Sequence, residues 1–574
     1  MPKDGLSSSE WRRRLRGFAM GDHNLGRGQR PKRDTHWART LESIERCPKH
    51  RSVASHDPYG RPIQCKSAAE SAAPEGVLEP MMVSSRQLRS KGLYNRVRRV
   101  VDVTDIYYLA AEYMDCRSCR GTFVAWDLRI LDQLPEGVRA RFPVVLTYKY
   151  ACDRAVIASL RARTLGNSPT ALRNNLQEVH SEAHLRRVTQ YLHDCVRYRA
   201  KRATYGAGSP KTAVATTDFP PPPHPDVFRS AKWFLATYVR DVWSRLPSLQ
   251  AAVTSTFGRV LKIDSTKKVC RKLQGASVGM AAWATNVGNE RGEVLITVLT
   301  ESESAHGLEP LARGLVDRYR RAGQPRPLVL YTDRDCCTQD GPSKLVALFD
   351  GWEGMAVRLD VWHFMRRIAV GVTSESHPLY GTFMQRISGC IFEWDADDHR
   401  LLQQAKRAML KDAGIASPSE SAIRKAITRD ELALHCRRRT RGTEATVTAI
   451  ETLLLALADA TDTLGVPLLT DEMTLIWAEQ RRHVACLQDP PGVALYSVTG
   501  TLRKGGVQLP VLRCARGTTS LESFHLHLAR FIPGTSANAT NFQAFLLDGI
   551  TRWNAQRCRD ALDAPTPRLR TFDM

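Results

Sequence analysis

FGRVLKIDSTKK (257–268) is a short apolar run that ends on an acid, Asp264. Two more strand-like runs follow, GMAAWATNV (279–287) and EVLITVLTES (293–302), separated by the turn GNERG, so the three predict an antiparallel set. LEPLARGLVDRYRRAG (308–323) carries its apolar residues at helical spacing and ends on Gly323, a residue suited to a helix C-cap. PLVLYTDRDCC (327–337) is an apolar strand ending in Asp333, and MAVRLDVWH (355–363) is a further strand ending in Asp360.

Strand, strand, strand, helix, strand, then helix or strand is the order of an RNase H-like α/β domain. Acids at strand ends carry chemistry in such a frame. A carboxylate just past a buried strand is held rigidly at the sheet edge, and two such ends on neighbouring strands reach one hard cation. Mg²⁺ or Mn²⁺ prefers oxygen ligands, and two ions clamp a phosphodiester for in-line attack. A third acid, usually a Glu from a later helix, completes the set. The plainer reading of Asp264 and Asp333 is turn chemistry, since Asp-Ser-Thr closes turns well.

KIDSTKK, YTDRDCC and LDVWH resemble the core of cut-and-paste DDE transposases, and Asp360-x-x-His363 is similar to the Asp/Cys-x-x-His element of the Mutator, hAT and Kolobok groups. More closely, FPVVLTYKYACDRAV (142–156), RTLGNSPTALRNNLQEVHSE (163–182), DSTKK and RGTTSLESFHLHLARFIPG (516–534) look like an uncharacterised transposase-like family with a cysteine-paired N-terminal domain of unknown function. The resemblance covers roughly residues 90–560. It implies Asp264 and Asp333 as the first two catalytic acids, with Asp335 the alternative to Asp333. Asp360 and His363 would be auxiliary, and Glu522 the third acid. Glu522 also ends Thr519-Ser-Leu-Glu522, a textual match to a capping box, and Glu393 in IFEWDADD competes for its role. Asp264 and Asp333 stand 69 residues apart, room for two strands and a helix. Asp333 and Glu522 stand 189 apart, which implies a helical domain inserted into the core.

Outward from the core, HCRRRTR (435–441) offers Arg437, Arg438, Arg439 and Arg441 as DNA-backbone contacts, and Lys267 and Lys268 offer the same beside Asp264. Residues 130–205 read as helical, with Asn167 and Ser168 where an N-cap would stand. Residues 96–113 read as strands. Cys116 and Cys119 read as half of a zinc knuckle, with Cys47, His50 and Cys65 as upstream candidates; a pair of free thiols and a decayed metal site are the competing readings. The related family has another cysteine pair ahead of GLYNRVRRVVD, where this chain reads EPMMVSSRQLRSK and has none. Cys336–Cys337 reads as a packed or capping feature. The four prolines Pro220 to Pro223 mark a stiff linker, and the aromatics Trp233, Phe234, Tyr238 and Trp243 of the helix after it read as core.

Composition bounds the rest. The 574 residues hold 83 Lys and Arg against 59 Asp and Glu, a net charge of +24. Such an excess suggests a polyanion partner, of which nucleic acid is the commonest; a GC-rich, Arg-rich genome is the alternative source. No apolar stretch of about 18 residues predicts a membrane span. MPKDGLSSSEWRRRLRGF lacks the apolar core of a signal peptide, and its basic clusters suit nuclear import or a solvated tail. A P-loop is absent, so no nucleotide cofactor is implied.

The expected architecture is therefore α/β: an RNase H-like catalytic core with an inserted all-α domain, preceded by a mixed α+β N-terminal domain bearing the zinc half-site. The expected divisions are a basic tail (1–75), the N-terminal domain (76–205), a linker (206–225), the first part of the core (226–375), the helical insertion (376–510), the completion of the core (511–560) and a tail (561–574). The expected function is metal-dependent cleavage and strand transfer of DNA in the nucleus, with two Mg²⁺ or Mn²⁺ ions, and a homo-oligomer by family resemblance. A catalytically silent, domesticated DNA-binding protein and a zinc-dependent interaction module are the alternatives.

Overall fold

The computed structural model describes residues 88–116, 120–131, 134, 142–161, 168–205, 219–222, 224–225, 227–338, 343–533 and 537–561. The basic tail, Cys47, His50, Cys65, Cys119 and most of the linker lie outside them. The chain is mixed α/β, with several small sheets and one five-stranded sheet. It divides into two compact units between Asp241 and Val242. Among the described residues, no helix is long and apolar enough to cross a membrane.

The first unit opens with β1 (Leu88–Leu93), β2 (Arg98–Val101), β3 (Ile106–Leu109), β4 (Glu112–Cys116) and β5 (Thr122–Val124), followed by β6 (Val144–Leu146) and β7 (Ala151–Asp153). They form a β1-β4-β5 sheet and a β3-β2-β7-β6 sheet. Their inward faces share one core that includes Leu88, Val100, Met114, Phe123 and Val144. Residues 144–153 are thus strands where a helix was expected. The β-branched Val144 and Val145 suit a pleat, and β7 finds its partner in the distant β2. Helices α1 (Arg154–Arg161), α2 (Pro169–Tyr205) and α3 (Ala231–Ser244) complete the unit. Ser168 caps α2 as its sequence implies, its Oγ accepting from the Ala171 amide at 3.0 Å. Phe234 and Tyr238 of α3 are fully buried.

A buried ion pair joins α1 to α3. Arg161 is 1% exposed and Asp241 is 0% exposed. The guanidinium reaches both carboxylate oxygens, with Nη2 at 2.7 Å from Oδ1 and Nε at 3.1 Å from Oδ2. Removing one partner leaves an uncompensated buried charge. Asp241→Ala is expected to lower the stability of this unit by ~3–5 kcal/mol, read from its denaturant midpoint. An unchanged midpoint would show that water enters the site and solvates Arg161.

The second unit is built on one sheet. After α4 (Leu246–Thr254) come β8 (Val260–Thr266), the short α5 (Lys267–Cys270), β9 (Trp283–Gly288), β10 (Val294–Thr300), α6 (Ala305–Arg321), β11 (Val329–Thr332), α7 (Lys344–Leu348) and β12 (Ala356–Leu359). The sheet order is β10-β9-β8-β11-β12. β8, β9 and β10 are antiparallel neighbours, whereas β11 runs parallel to both β8 and β12. Apolar α6 residues Leu308, Leu311 and Leu315 pack on Leu261, Ile263 and Leu330 across one face.

The chain then leaves the sheet through α8 (Val361–Ala369), α9 (Tyr380–Ile391), β13 (Phe392–Trp394), α10 (Ala396–Asp412), α11 (Glu420–Ala426), α12 (Arg429–His435), β14 (Arg438–Thr440), α13 (Thr443–Ala456), α14 (Met473–Gln480) and α15 (Val484–Leu487). This stretch is not all-α. β13 pairs with β14, and β15 (Tyr496–Lys504) pairs with β16 (Val507–Cys514) in a hairpin. The hairpin turns on Gly505 and Gly506, whose φ values of +52° and +76° are those of a tight two-residue turn. The last helices, α16 (Thr519–Phe531) and α17 (Ala539–Ala561), return to the sheet. Leu521 of α16 lies against β9 at Gly288. Asn554 of α17 both donates to and accepts from the Val294 backbone at 2.7 Å, occupying the free edge of β10 as a strand would.

Candidate active site

Alternation along β8 aims the first acid. Leu261 and Ile263 enter the core beneath α6, so Lys262 and Asp264 point to the opposite face, where Lys262 Nζ lies 3.3 Å from Ser520 Oγ. Asp264 is 4% exposed. β11 is the parallel neighbour of β8, with Tyr331 opposite Lys262, so Asp333 emerges two residues later at the same sheet end. The next strand, β12, stops at Leu359, and Asp360 caps α8 rather than extending the strand.

Asp360 is a junction. Its Oδ1 accepts from the His363 amide at 2.9 Å and from His363 Nδ1 at 3.0 Å. Its Oδ2 accepts from the Thr518 amide at 2.7 Å, which fixes the start of α16. The approach needs Gly517, with φ +76°, because a Cβ there would sit 2.6 Å from Asp360 Oδ2. Glu522 then lies in the first turn of α16. The capping-box reading of Thr519 to Glu522 does not hold: Thr518 stands at the N-cap and no side chain caps the helix.

Carboxylates and imidazoles meet in two groups that share Asp264. Asp264, Asp333 and His363 form one, and Asp264, Glu522 and His525 the other, with ligand atoms within 4.8 Å of one another in each. Asp264 Oδ1 accepts from the Ser265 amide at 2.8 Å, while Oδ2 is buried without a hydrogen-bond partner. A cavity of about 210 Å³ opens beside Asp264 and Asp333, lined also by Glu303, Arg334 and Lys344.

Burial pushes the Asp264 carboxyl up to about 7; the His525 ring opposes the rise, and the nearby Asp333 and Glu522 charges add to it. His525 beside Glu522 holds that carboxyl below its ordinary value. Burial is the largest influence on His363 and lowers it, but the bond to Asp360 and the charges of Asp360, Asp264 and Asp333 together outweigh burial and raise it. Burial lowers Lys262 to about 8.

The two histidines are oriented differently. Asp360 takes the Nδ1 proton of His363, so the Nε2 edge faces Glu522 Oε1 at 3.9 Å. For His525, Asn286 Nδ2 donates to the Ala284 carbonyl and also lies 2.9 Å from Nε2. That nitrogen must therefore accept, and the proton sits on Nδ1, 3.8 Å from both Asp264 Oδ2 and Glu522 Oε2. His525 is thereby built to hold carboxylates, and His363 to present a lone pair.

The other sequence candidates fall as follows. Asp335 is exposed, in a left-handed turn at φ +52°, and belongs to neither group. Glu393 pairs with Arg439 at 2.9 Å and Arg441 at 3.5 Å, far along the chain from the acids and outside both groups. Arg437 binds Asp398 at 2.7 Å, and Arg438 lies over the rings of Phe392 and Trp394, so all four arginines have partners within the second unit. Lys267 and Lys268 are exposed at the start of α5, with Lys267 over the Trp283 ring at 4.3 Å. Cys116 is 1% exposed in the first unit's core.

Sequence reading missed His525 and Asn286. The signal for His525 was present, since Glu522-x-x-His525 repeats the spacing of Asp360-x-x-His363. It also missed a second cluster. Cys336 and Cys337, three and four residues past Asp333, meet His483 and Cys486 with all four ligand atoms within 4.8 Å of one another.

A family described as "Domain of unknown function (DUF6729)" matches residues 79–243, which covers the described residues of the first unit and stops short of the sheet bearing the acids. No curated protein matches the chain.

Proposed function

We propose that the chain is a DDE-type transposase or nuclease that cuts and joins DNA phosphodiesters. The observation that carries this reading is that buried Asp264, on β8, falls in one group with Asp333, just past the adjacent β11, and in another with Glu522, from a helix far along the chain, while its Oδ2 has no hydrogen-bond partner. The sheet order β10-β9-β8-β11-β12, with three antiparallel strands and two parallel ones, supports an RNase H-like core. The long excursion between β12 and α16 supports an insertion into it.

The residues fit divalent cations. Asp264 Oδ2 has no hydrogen-bond partner, the set is anionic and dominated by oxygen, and Asp264 is common to both residue groups. Asp333 and Glu522 would each complete one group, and His363 Nε2 adds a nitrogen to the first. When bound, Mg²⁺ or Mn²⁺ supplies charge stabilisation to the attacking and leaving oxygens of the phosphodiester. His525 Nδ1, 3.8 Å from an oxygen of each, would hold Asp264 and Glu522 aimed inward and offset part of their mutual repulsion. Exposed Lys267 and Lys268 suit phosphates of the strand being cut. The net charge of +24 suits a nucleic-acid partner, which the DDE reading makes DNA, and assembly as a homo-oligomer on DNA belongs to the same proposal.

Glu522→Gln is expected to reduce Mn²⁺-dependent nicking of supercoiled plasmid by roughly 10²–10³-fold, the loss of a few kcal/mol of transition-state stabilisation. DNA retention in a metal-free gel shift should persist. Wild-type protein that binds DNA and never nicks it would make this a DNA-binding protein without turnover.

A further inference from the structure

The thiol cluster past Asp333 is separate from the carboxylate site. Cys336 Sγ and Cys337 Sγ are 3.9 Å apart, and each lies 3.3 Å from His483 Nδ1. Cys486 is the fourth member. A tetrahedral zinc with its usual bond lengths requires S···S edges of about 3.8 Å and S···N edges of about 3.5 Å. The observed edges match that frame without any bound ion. Cys336 and His483 are buried, and Cys337 and Cys486 are half-buried. Ordinary packing explains such a group poorly: it brings three thiols and an imidazole to one point from two segments 147 residues apart.

We propose that Cys336, Cys337, His483 and Cys486 form a structural Zn²⁺ site that fastens the loop bearing Asp333 to the helical layer. Soft thiolates with one imidazole are the donor set of closed zinc sites, and hard ions such as Mg²⁺ do not take it. On binding, the three thiols release their protons to solvent and His483 ligates as the neutral ring. Three thiolates against a doubly charged ion leave one negative charge. Arg358, Arg367 and Arg482 supply the surrounding positive field. Ligation through Nδ1 moves the ring proton to Nε2, so exposed Arg482, whose Nε lies 3.4 Å from Nε2, turns to solvent. Arg367 already donates to the Asp333 carbonyl, so the same loop is held from both sides.

The site stands independently of the nuclease reading, and metal analysis separates the two. Full-length protein purified without added metal or chelator should carry one tightly held zinc more than the double variant C337S/C486S, by elemental mass spectrometry. Cys116→Ser should keep that zinc, and so should Asp264→Asn, whatever it does to nicking. Should the double variant misfold, Co²⁺ loaded into wild-type protein decides: thiolate charge-transfer and intense tetrahedral bands are expected. Equal zinc in wild type and double variant, featureless Co²⁺ spectra, or a disulfide within the cluster in freshly purified protein would each overturn the proposal.

Discussion

Asp264→Asn is expected to abolish Mn²⁺-dependent nicking, by roughly a thousandfold or more, and at the same time to stabilise the metal-free protein at pH 8. Asp264 is the one residue common to both ligand groups, so its loss would remove a donor from each proposed ion. Losing about 4 kcal/mol of charge stabilisation corresponds to that factor. The gain in stability has the same origin. Without a cation, three acids crowd one sheet end, and Asp264 Oδ2 is buried with nothing to bond. Asparagine keeps the shape and removes the buried charge. A variant that nicks at the wild-type rate would remove Asp264 from the mechanism. One that is inactive but less stable would assign it a structural role instead.

The wild-type protein should lose stability as pH rises from about 4 to 7 in buffer free of Mg²⁺ and Mn²⁺. The Asp264 carboxyl, ordinarily 3.8, is raised to about 7 by burial. Between those values the folded state holds a proton that the unfolded chain has released, so unfolding becomes easier with each unit of pH. Above about 7 both states are ionised and the penalty is complete. At 1.36 kcal/mol per unit it reaches about 4 kcal/mol at most. The stability difference between Asp264→Asn and wild type should therefore be near zero at pH 4, grow to pH 7 and stay level above it. Added Mn²⁺ should reverse the wild-type loss. A difference independent of pH would mean that water solvates Asp264 in the folded state.

The central sheet was legible because its strands are written in apolar, β-branched runs, and because each of the first two acids follows its run immediately. Asp264 and Asp333 needed only the rule that parallel neighbours run in step, although Asp264 lies inside β8, which continues to Thr266, and Asp333 one residue past β11. Glu522 was harder. Its text matches a helix cap, and what releases it from that role is Asp360, which takes the Thr518 amide across 158 residues. Such a contact has no local signature. The β6 and β7 strands were hidden for a similar reason, being three residues each, with β6 paired to β7 and β7 paired to the distant β2. The β15–β16 hairpin was legible and overlooked: Lys504-Gly505-Gly506-Val507 is hairpin turn chemistry within a region whose charge pattern reads as helical. The thiol cluster joins a vicinal pair to a His-x-x-Cys on a short helical segment, and neither half resembles a metal motif alone.

The tie between Asp360 and Thr518 also has a consequence for how the protein is made. The ribosome releases Asp264 and Asp333 long before Glu522, 189 residues beyond Asp333. At the usual pace of translation that interval is roughly 10–40 s. Throughout it the nascent chain carries two acids and no third, with Asp360 still lacking the amide that seats α16. A truncated product ending anywhere before α16 would likewise lack Glu522. On the proposed function, cutting competence would wait until the chain had been extended through α16 and that helix had docked on the sheet.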